Sequence, residues 1–173
     1  SFTVPEKVKS LSIDNFAFAG CSSLEEFNVK CKLETLLISD YAFEGCKSLR
    51  SVTFSATIEN LIIGKNAFFE CESLNKFAIP EGIKSLIIYV NAFARCRSLT
   101  RFELVANKTS LTISNFAFDN CINLKEFSVK GSLSAYDIGE LVFNRCVNLK
   151  TIIIPNVDID EFQITVFKWV KVN

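Results

Sequence analysis

Apolar residues recur along this chain at fixed positions with a period of 25 residues. Each copy reads AFxxCxxLxxФxФ, where Ф is an apolar residue, and the only replacement of the Ala is Val142 in the sixth copy. The Phe column consists of Phe18, Phe43, Phe68, Phe93, Phe118 and Phe143, the Cys column of Cys21, Cys46, Cys71, Cys96, Cys121 and Cys146, and the Leu column of Leu24, Leu49, Leu74, Leu99, Leu124 and Leu149. A period of about 20 to 50 residues is typical of repeat architectures.

The spacing within a copy predicts its local structure. The Phe, Cys and Leu columns are three residues apart, which predicts a helical or 3₁₀ turn that places all three on one side. The two Ф columns, Phe27 and Val29 in the first copy, have the two-residue spacing of a strand, which we call the main strand. A further pair with this spacing, Leu11 and Ile13 in the first copy, predicts a short second strand.

These elements predict an α/β repeat solenoid, because one coil of 25 residues cannot bury its apolar columns alone and must stack on its neighbours. We expect a single solenoid over residues 1–155, with six full copies and a partial N-terminal one, followed by a closing coil or cap over residues 156–173. A truncated seventh repeat is the alternative for that last segment. Because Ser1 begins within a repeat, we expect the chain to be a piece of a longer solenoid.

The AFxGC segments at residues 17–21 and 42–46, each followed by SLxxФxФ, resemble BspA-type leucine-rich repeats. The resemblance implies a right-handed leucine-rich-repeat superhelix with parallel main strands. It also implies a cell-surface or secreted protein that serves in adhesion and host interaction. A parallel β-helix, the architecture of some polysaccharide lyases, is the alternative fold. The helical turn predicted for each coil argues against that alternative.

Composition and charge exclude several classes of function. The chain has no His, so it has no imidazole for a catalytic triad or for the common zinc sites, and it contains no phosphate-binding Gly loop. Its 19 basic and 19 acidic residues cancel, which leaves no field to attract nucleic acid. No apolar run approaches the roughly 18 residues of a membrane span. We therefore predict no enzyme activity, no cofactor, no metal, no nucleic-acid partner and no membrane insertion.

The seven Cys and 17 Phe are compositional excesses that the repeat accounts for. Six Cys form one column, and Cys is a small, readily buried side chain, so we predict a buried row. Stacked Cβ vectors run parallel, which disfavours disulfides, and the absence of a CxxC pair disfavours a zinc site. Cys31 lies outside the column in a predicted loop, where we expect the one exposed thiol. Two inward columns contain most of the Phe, so core packing explains them better than an aromatic binding platform.

Side chains that point outward from the main strands are the candidate binding residues. Curvature usually makes such a sheet the concave recognition surface of a solenoid. The candidates are Glu26, Asn28, Ser51, Thr53, Lys76, Ala78, Arg101, Glu103, Glu126, Ser128, Thr151 and Ile153. Their charges have mixed sign, which favours a protein or glycoprotein ligand, such as host extracellular matrix or a cell surface, over a polyanion. The alternative is that these positions are only solvated and that the binding site lies elsewhere.

Two functional classes are consistent with this pattern. The first is the ligand-recognition region of a cell-surface or secreted adhesion protein, which the family resemblance implies. The second is an intracellular, cytoplasmic leucine-rich-repeat scaffold or adaptor, which unpaired cysteines would suit.

Overall fold

The computed structural model describes residues 8–54 and 57–155. The predicted cap at residues 156–173 and the first seven residues of the partial copy lie outside the described residues. We number the coils by the Phe column, from Phe18 in the first coil to Phe143 in the sixth.

In residues 8–54 and 57–155, ten strands pair in parallel and form two sheets. They are β1 (Ser10–Ile13), β2 (Glu26–Val29), β3 (Leu33–Ile38), β4 (Ser51–Phe54), β5 (Ile58–Ile63), β6 (Lys76–Phe77), β7 (Ser85–Ile88), β8 (Arg101–Ile113), β9 (Glu126–Ile138) and β10 (Thr151–Ile153). The order of the larger sheet is β1-β3-β5-β7-β8-β9-β10, and that of the smaller sheet is β2-β4-β6. Partners are 25 residues apart, as for Leu36 and Leu61, except at a bulge between β8 and β9. The described chain is therefore a solenoid, as predicted.

The second strands connect all the described coils, and two of them are longer than predicted. Strands β3 and β5 contain six residues each, whereas the main strands β2 and β4 contain four each. Both of these longer strands begin at a buried residue, Leu33 and Ile58, which extends the inward side of the strand. The larger sheet thus holds the coils together, and the main strands are a less continuous layer.

The segment between the two strands of a coil is a run of hydrogen-bonded turns, and no helix occurs in residues 8–54 or 57–155. The backbone N–H groups of Ala19 and Cys21 donate to the carbonyls three residues earlier, at 3.0 Å each. The N–H of Gly20, which lies between them, instead donates to the carbonyl of Glu44 in the next coil at 2.7 Å. The three-residue spacing is therefore correct, but alternate donors serve the neighbouring coil, which a helix does not permit.

Left-handed residues also prevent helix formation in this segment. The first such column has φ values of 54° to 61° and the second has values of 57° to 69°. A single residue with positive φ ends a right-handed helical path. The two columns are Phe16, Tyr41, Asn66, Asn91, Phe116 and Leu141, and Gly20, Gly45, Glu70, Arg95, Asn120 and Arg145. Because the predicted helical turn is absent from the described coils, it cannot distinguish this fold from a parallel β-helix; the repeat motif must do so.

Two columns of Phe form the centre of the core. Rings of the first column stack on one another through successive coils, with 5.2 Å between the ring centroids of Phe68 and Phe93 and 7° between their planes. The second column meets them edge-on, as where Phe77 lies 4.9 Å from Phe93 at 80°. Phe68 and Phe93 have no exposed surface, and Phe77 is 5% exposed. The prediction that these columns are core is confirmed, and packing alone accounts for them.

Candidate functional site

The twelve predicted binding positions lie along the main strands, and Ala78 directly follows β6. We call the outward side of these strands the main-strand face. Strand register aligns Glu26 with Ser51 and Ser51 with Lys76 in the first three coils. Arg101, Glu126 and Thr151 align in the same way in the last three coils. The structure therefore brings the predicted residues together as two groups of three coils.

Ser128 is an exception on the main-strand face because its side chain is fully buried. It aligns with Glu103 on one side and with Ile153 on the other. Its hydroxyl oxygen has no hydrogen-bond partner in the structure. Ser128 is therefore unavailable to a ligand, whereas the other eleven positions are exposed or half-buried.

The fourth and fifth coils carry a network of ion pairs on this face. The Arg101 guanidinium lies 2.8 Å from a carboxylate oxygen of Glu126 and 3.2 Å from one of Glu103. The Lys130 ammonium lies 2.8 Å from the other Glu103 oxygen. The hydrogen bond from Lys130 lowers the pKa of Glu103 against a smaller opposing effect of burial, and the charge of Arg101 lowers it further. Two acids and two bases thus neutralise one another.

In the first three coils, the main-strand face carries fewer charged side chains, and these form no ion pairs with the described residues. Neither Glu26 nor Lys76 forms an ion pair with any residue in the described ranges. Between them, the Thr53 hydroxyl donates to the side-chain oxygen of Asn28. Because the two charges are two strands apart, their backbones are separated by about 10 Å. This half of the face can therefore offer an acid and a base to a partner.

The main-strand face is interrupted between the third and fourth coils. In the smaller sheet, the Arg50 carbonyl accepts the N–H groups of Asn75 at 3.1 Å and Lys76 at 3.2 Å. The Asn75 carbonyl accepts no equivalent bond from the backbone of the fourth coil, and β6 does not pair with β8. The ring centroids of Phe77 and Phe102 are correspondingly 6.1 Å apart. The coils therefore separate locally on this side.

The separation is confined to the main strands. Between the fourth and fifth coils, the ring centroids of Phe102 and Phe127 are 5.4 Å apart. In the turn segments of the third and fourth coils, the ring centroids of Phe68 and Phe93 are 5.2 Å apart. The second strands on either side of the opening also pair normally, β5 with β7 and β7 with β8. The solenoid thus opens on one side only.

A change in chain path accounts for the opening. The third coil leaves its main strand through a turn at Glu81 and Gly82, where Gly82 has φ of 75°. The fourth and fifth coils continue without interruption from main to second strand, in β8 and β9, of thirteen residues each. In addition, Pro80 has no N–H with which to extend pairing beyond β6. Two different paths meet at this junction, and the main strands of the third and fourth coils do not pair there.

The opening forms a solvent-accessible depression of about 390 Å³, which we call the junction cleft. Its floor is apolar and its rim is polar. It is lined by Asn75, Lys76, Phe77, Ala78, Ile79, Arg101 and Glu103. Asn75, Phe77 and Ile79 were not among the predicted site residues. The sequence did contain a signal for them, because Pro80 and Gly82 stand where the next coil has Val105 and Asn107.

The cysteine column is structural in the described coils. From the second coil onward each thiol is fully buried and donates to the carbonyl of the Phe 28 residues earlier, at 3.0 to 3.2 Å. Burial raises the pKa of Cys46 to about 11. It also raises the pKa of Cys71, Cys96 and Cys121. Such thiols are protonated at neutral pH and poorly suited to attack or metal binding.

The prediction for Cys31 is wrong, because this residue is only 3% exposed. The exposed thiol is Cys21, in the first coil. Cys31 continues the alternation of buried residues from Phe27 and Val29 to Leu33, so its side chain points into the core. Strand periodicity thus extends through the connection that the sequence indicated as a loop.

The described part of the chain has neither a metal-binding cluster nor a helix that could span a membrane. Within residues 8–54 and 57–155, no three His, Cys, Asp or Glu side chains are grouped so as to hold a metal ion. Over the same ranges, no helix has the length and apolar character needed to cross a membrane.

Two solved structures share this architecture. A leucine-rich repeat protein of T. pallidum (TpLRR) is 22% identical, with a TM-score of 0.50 over 88% of this chain and 57% of that one. A leucine-rich repeat protein from Bacteroides ovatus ATCC 8483 is also 22% identical, with a TM-score of 0.53 over 86% of this chain and 41% of that one. The chain therefore spans about half the length of these proteins, and at this identity the likeness extends to the fold alone. No curated protein sequence matches the chain.

The repeat motif distinguishes this solenoid from other parallel β architectures. The model of the BspA type leucine rich repeat region, which represents six copies, matches residues 1–86 and 37–173. These two ranges together span the whole chain, and they include all six AFxxCxxL copies. The chain belongs to the BspA-type leucine-rich repeat family.

Proposed function

We propose that this solenoid is a non-enzymatic protein-binding module and that the main-strand face is its recognition surface. One observation carries the proposal: the inward columns repeat almost unchanged, whereas the outward positions differ from coil to coil. Constant inward residues satisfy packing, and varied outward residues give an extended surface a specific pattern of charge and shape. Eleven of these outward positions are accessible to a partner.

We further propose that the module belongs to a cell-surface or secreted protein that acts in adhesion or host interaction. Its partner would be a protein or glycoprotein, such as host extracellular matrix. The mixed charges of the face suit such a partner, because a polyanion would need a basic stripe. The unpaired cysteines do not oppose export, because buried thiols with raised pKa values oxidise slowly.

An intracellular scaffold or adaptor is the second candidate. The observation that favours it is that all seven cysteines are free, which is typical of reducing compartments. The complete gene distinguishes the two candidates. An export signal or a surface anchor encoded with this solenoid supports adhesion, and a gene without either supports the adaptor.

Binding of the purified chain to immobilised fibronectin, laminin, collagen and fibrinogen tests the recognition surface. A variant with Ser51→Arg and Thr151→Arg adds bulk and charge to both halves of the main-strand face. The matched control, Ser12→Arg with Thr112→Arg, changes outward positions of the second strands. We expect the face variant to bind at least about 10-fold more weakly and the control to bind normally. Loss of binding in the control alone would assign recognition to the second-strand side, and no binding to any of the four would contradict a matrix partner.

A further inference from the structure

We propose that the junction cleft is the anchor point of the main-strand face and that it takes an apolar side chain next to a carboxylate on a partner polypeptide. This inference rests on the proposed function, because it specifies where on that face a partner binds. The cleft differs from the rest of the face in three respects: an apolar floor, a free cation and a free backbone acceptor.

The apolar floor exists because the coils separate at this junction. Elsewhere on the face, paired strands are about 4.8 Å apart and leave no room between their side chains. At the junction, the missing pairing between β6 and β8 gives a depression of about 390 Å³ over Phe77, Ala78 and Ile79. Ala78 and Ile79 are half-buried, so they remain accessible from the cleft. A depression of this size accepts one or two aliphatic side chains and gains stability by removing their surface from water.

The charge of the cleft favours an anion. Arg101 and Glu103 both line the cleft, and their charges are neutralised within the network that includes Glu126 and Lys130. Lys76 also lines it and has no ion-pair partner among the described residues. The cleft therefore carries one uncompensated positive charge beside its apolar floor. A single carboxylate placed next to an apolar group complements this arrangement.

A polypeptide is the ligand class that these groups fit together. The Asn75 carbonyl accepts no bond from the fourth coil, so it is free to accept a backbone N–H of the ligand. A peptide supplies that N–H, a carboxylate and an apolar side chain within a few ångströms of one another. The gap cannot admit a whole strand, because the Phe77 and Phe102 centroids are only 6.1 Å apart. The peptide must therefore lie over the cleft and insert one side chain.

Two capped peptides test this inference on the full chain. The probes are acetyl-Gly-Ser-Glu-Leu-Ser-Gly-amide and the same peptide with Lys in place of Glu, each titrated into ¹⁵N-labelled protein and followed by NMR. We expect the Glu peptide to shift the amides of residues 75–79 and 101–103. Lys76→Glu should weaken binding of this peptide at least about 10-fold and give preference to the Lys peptide. Lys125→Glu, at another exposed lysine without an ion pair, is the matched control and should leave binding unchanged.

Each other outcome overturns the inference in an identifiable way. Shifts confined to β2 and β4 would place peptide binding on the main-strand face but away from the cleft, and would leave the proposed function intact. No shifts at the cleft with either peptide at millimolar concentration would reject the anchor point itself, whatever the result with matrix proteins. If N-acetylneuraminic acid alone gave the same Lys76-dependent shifts, the cleft would belong to carboxylated glycans. Unchanged thermal unfolding of the Lys76→Glu variant establishes that any loss is local.

Discussion

The thiol of Cys96 donates a hydrogen bond to the backbone carbonyl of Phe68, 28 residues earlier, with 3.2 Å between Sγ and O. The same carbonyl accepts the N–H of Cys71 at 3.1 Å, so both of its lone pairs are used. The Cys column is therefore more than a row of small apolar side chains. It connects each coil to the one before it and satisfies a carbonyl that has no access to water.

Replacing Cys96 by Ala should destabilise the solenoid by about 2 kcal/mol, because it removes this hydrogen bond and leaves a small void. The matched control is Cys21→Ala, at the exposed member of the column, which should change stability by less than about 0.5 kcal/mol. Urea unfolding followed by circular dichroism measures both. Equal effects at the two positions would contradict the structural role assigned to the buried thiols.

Thiol labelling of the native protein should modify one cysteine rapidly. We expect that cysteine to be Cys21, because it is exposed, whereas the other six thiols are buried. Reaction with 5,5′-dithiobis(2-nitrobenzoate) at pH 8 measures the fast phase. Cys21→Ser should abolish it and Cys31→Ser, the control, should leave it intact. A fast phase that disappears with Cys31→Ser would contradict the burial of that residue.

Stability should fall with rising pH in the alkaline range because the buried thiols resist ionisation. Burial raises the pKa of Cys46 from 9.0 to about 11. Below pH 9 the thiol is protonated in both states and its contribution is complete. Between pH 9 and 11 the unfolded chain loses this proton while the folded one keeps it, so the free energy of unfolding decreases. Urea unfolding between pH 7.5 and 10.5 under reducing conditions should therefore decline less steeply for Cys46→Ala than for the unmodified chain. Parallel declines would contradict the raised pKa.

The fold was predictable because a fixed period leaves little freedom. Phe68, Cys71 and Leu74 are fully buried in the third coil, and the same columns are buried in the fourth and fifth, as the spacing predicts. The spacing could not show that the described coils have turns in place of the predicted helical turn, because consecutive turns and a helix share the three-residue spacing. Phe16 and Tyr41 have positive φ, although such bulky residues rarely adopt it, so residue type did not indicate a left-handed column.

The sequence predicted which side of the main strands the candidate residues occupy, but it did not predict the burial of Ser128 or the junction cleft. Alternation along the main strands correctly placed Glu26 and Lys76 on an accessible face. It could not indicate that Ser128 is covered, because coverage depends on neighbouring coils rather than on alternation. The junction cleft depends on a mismatch between successive connections. The sequence of the third coil alone indicates a turn at Gly82. The loss of pairing between β6 and β8 depends in addition on the path of the fourth coil.

Gly64 is required at a close approach between two coils. A Cβ at this position would lie 2.6 Å from the Ser39 carbonyl carbon and 2.7 Å from the Asp40 nitrogen, and backbone atoms cannot move aside cheaply. This close approach lets the Asp40 carboxylate accept the N–H of Lys65 at 2.7 Å. Gly64→Ala should therefore destabilise the protein by about 1–3 kcal/mol and speed hydrogen exchange at the Lys65 amide.

The control for Gly64 lies in the same column two coils further along. Ser114 occupies the equivalent position and already has a Cβ, so Ser114→Ala should change stability by less than about 0.5 kcal/mol. Thermal or urea unfolding compares the two variants, and hydrogen exchange of Lys65 reports on the contact itself. If Gly64→Ala unfolds at the same urea concentration as the unmodified chain, these coils can separate without cost, and the close packing assigned to this side of the solenoid is wrong. If stability falls while the Lys65 amide keeps its protection, the loss arises elsewhere than in this coil-to-coil contact.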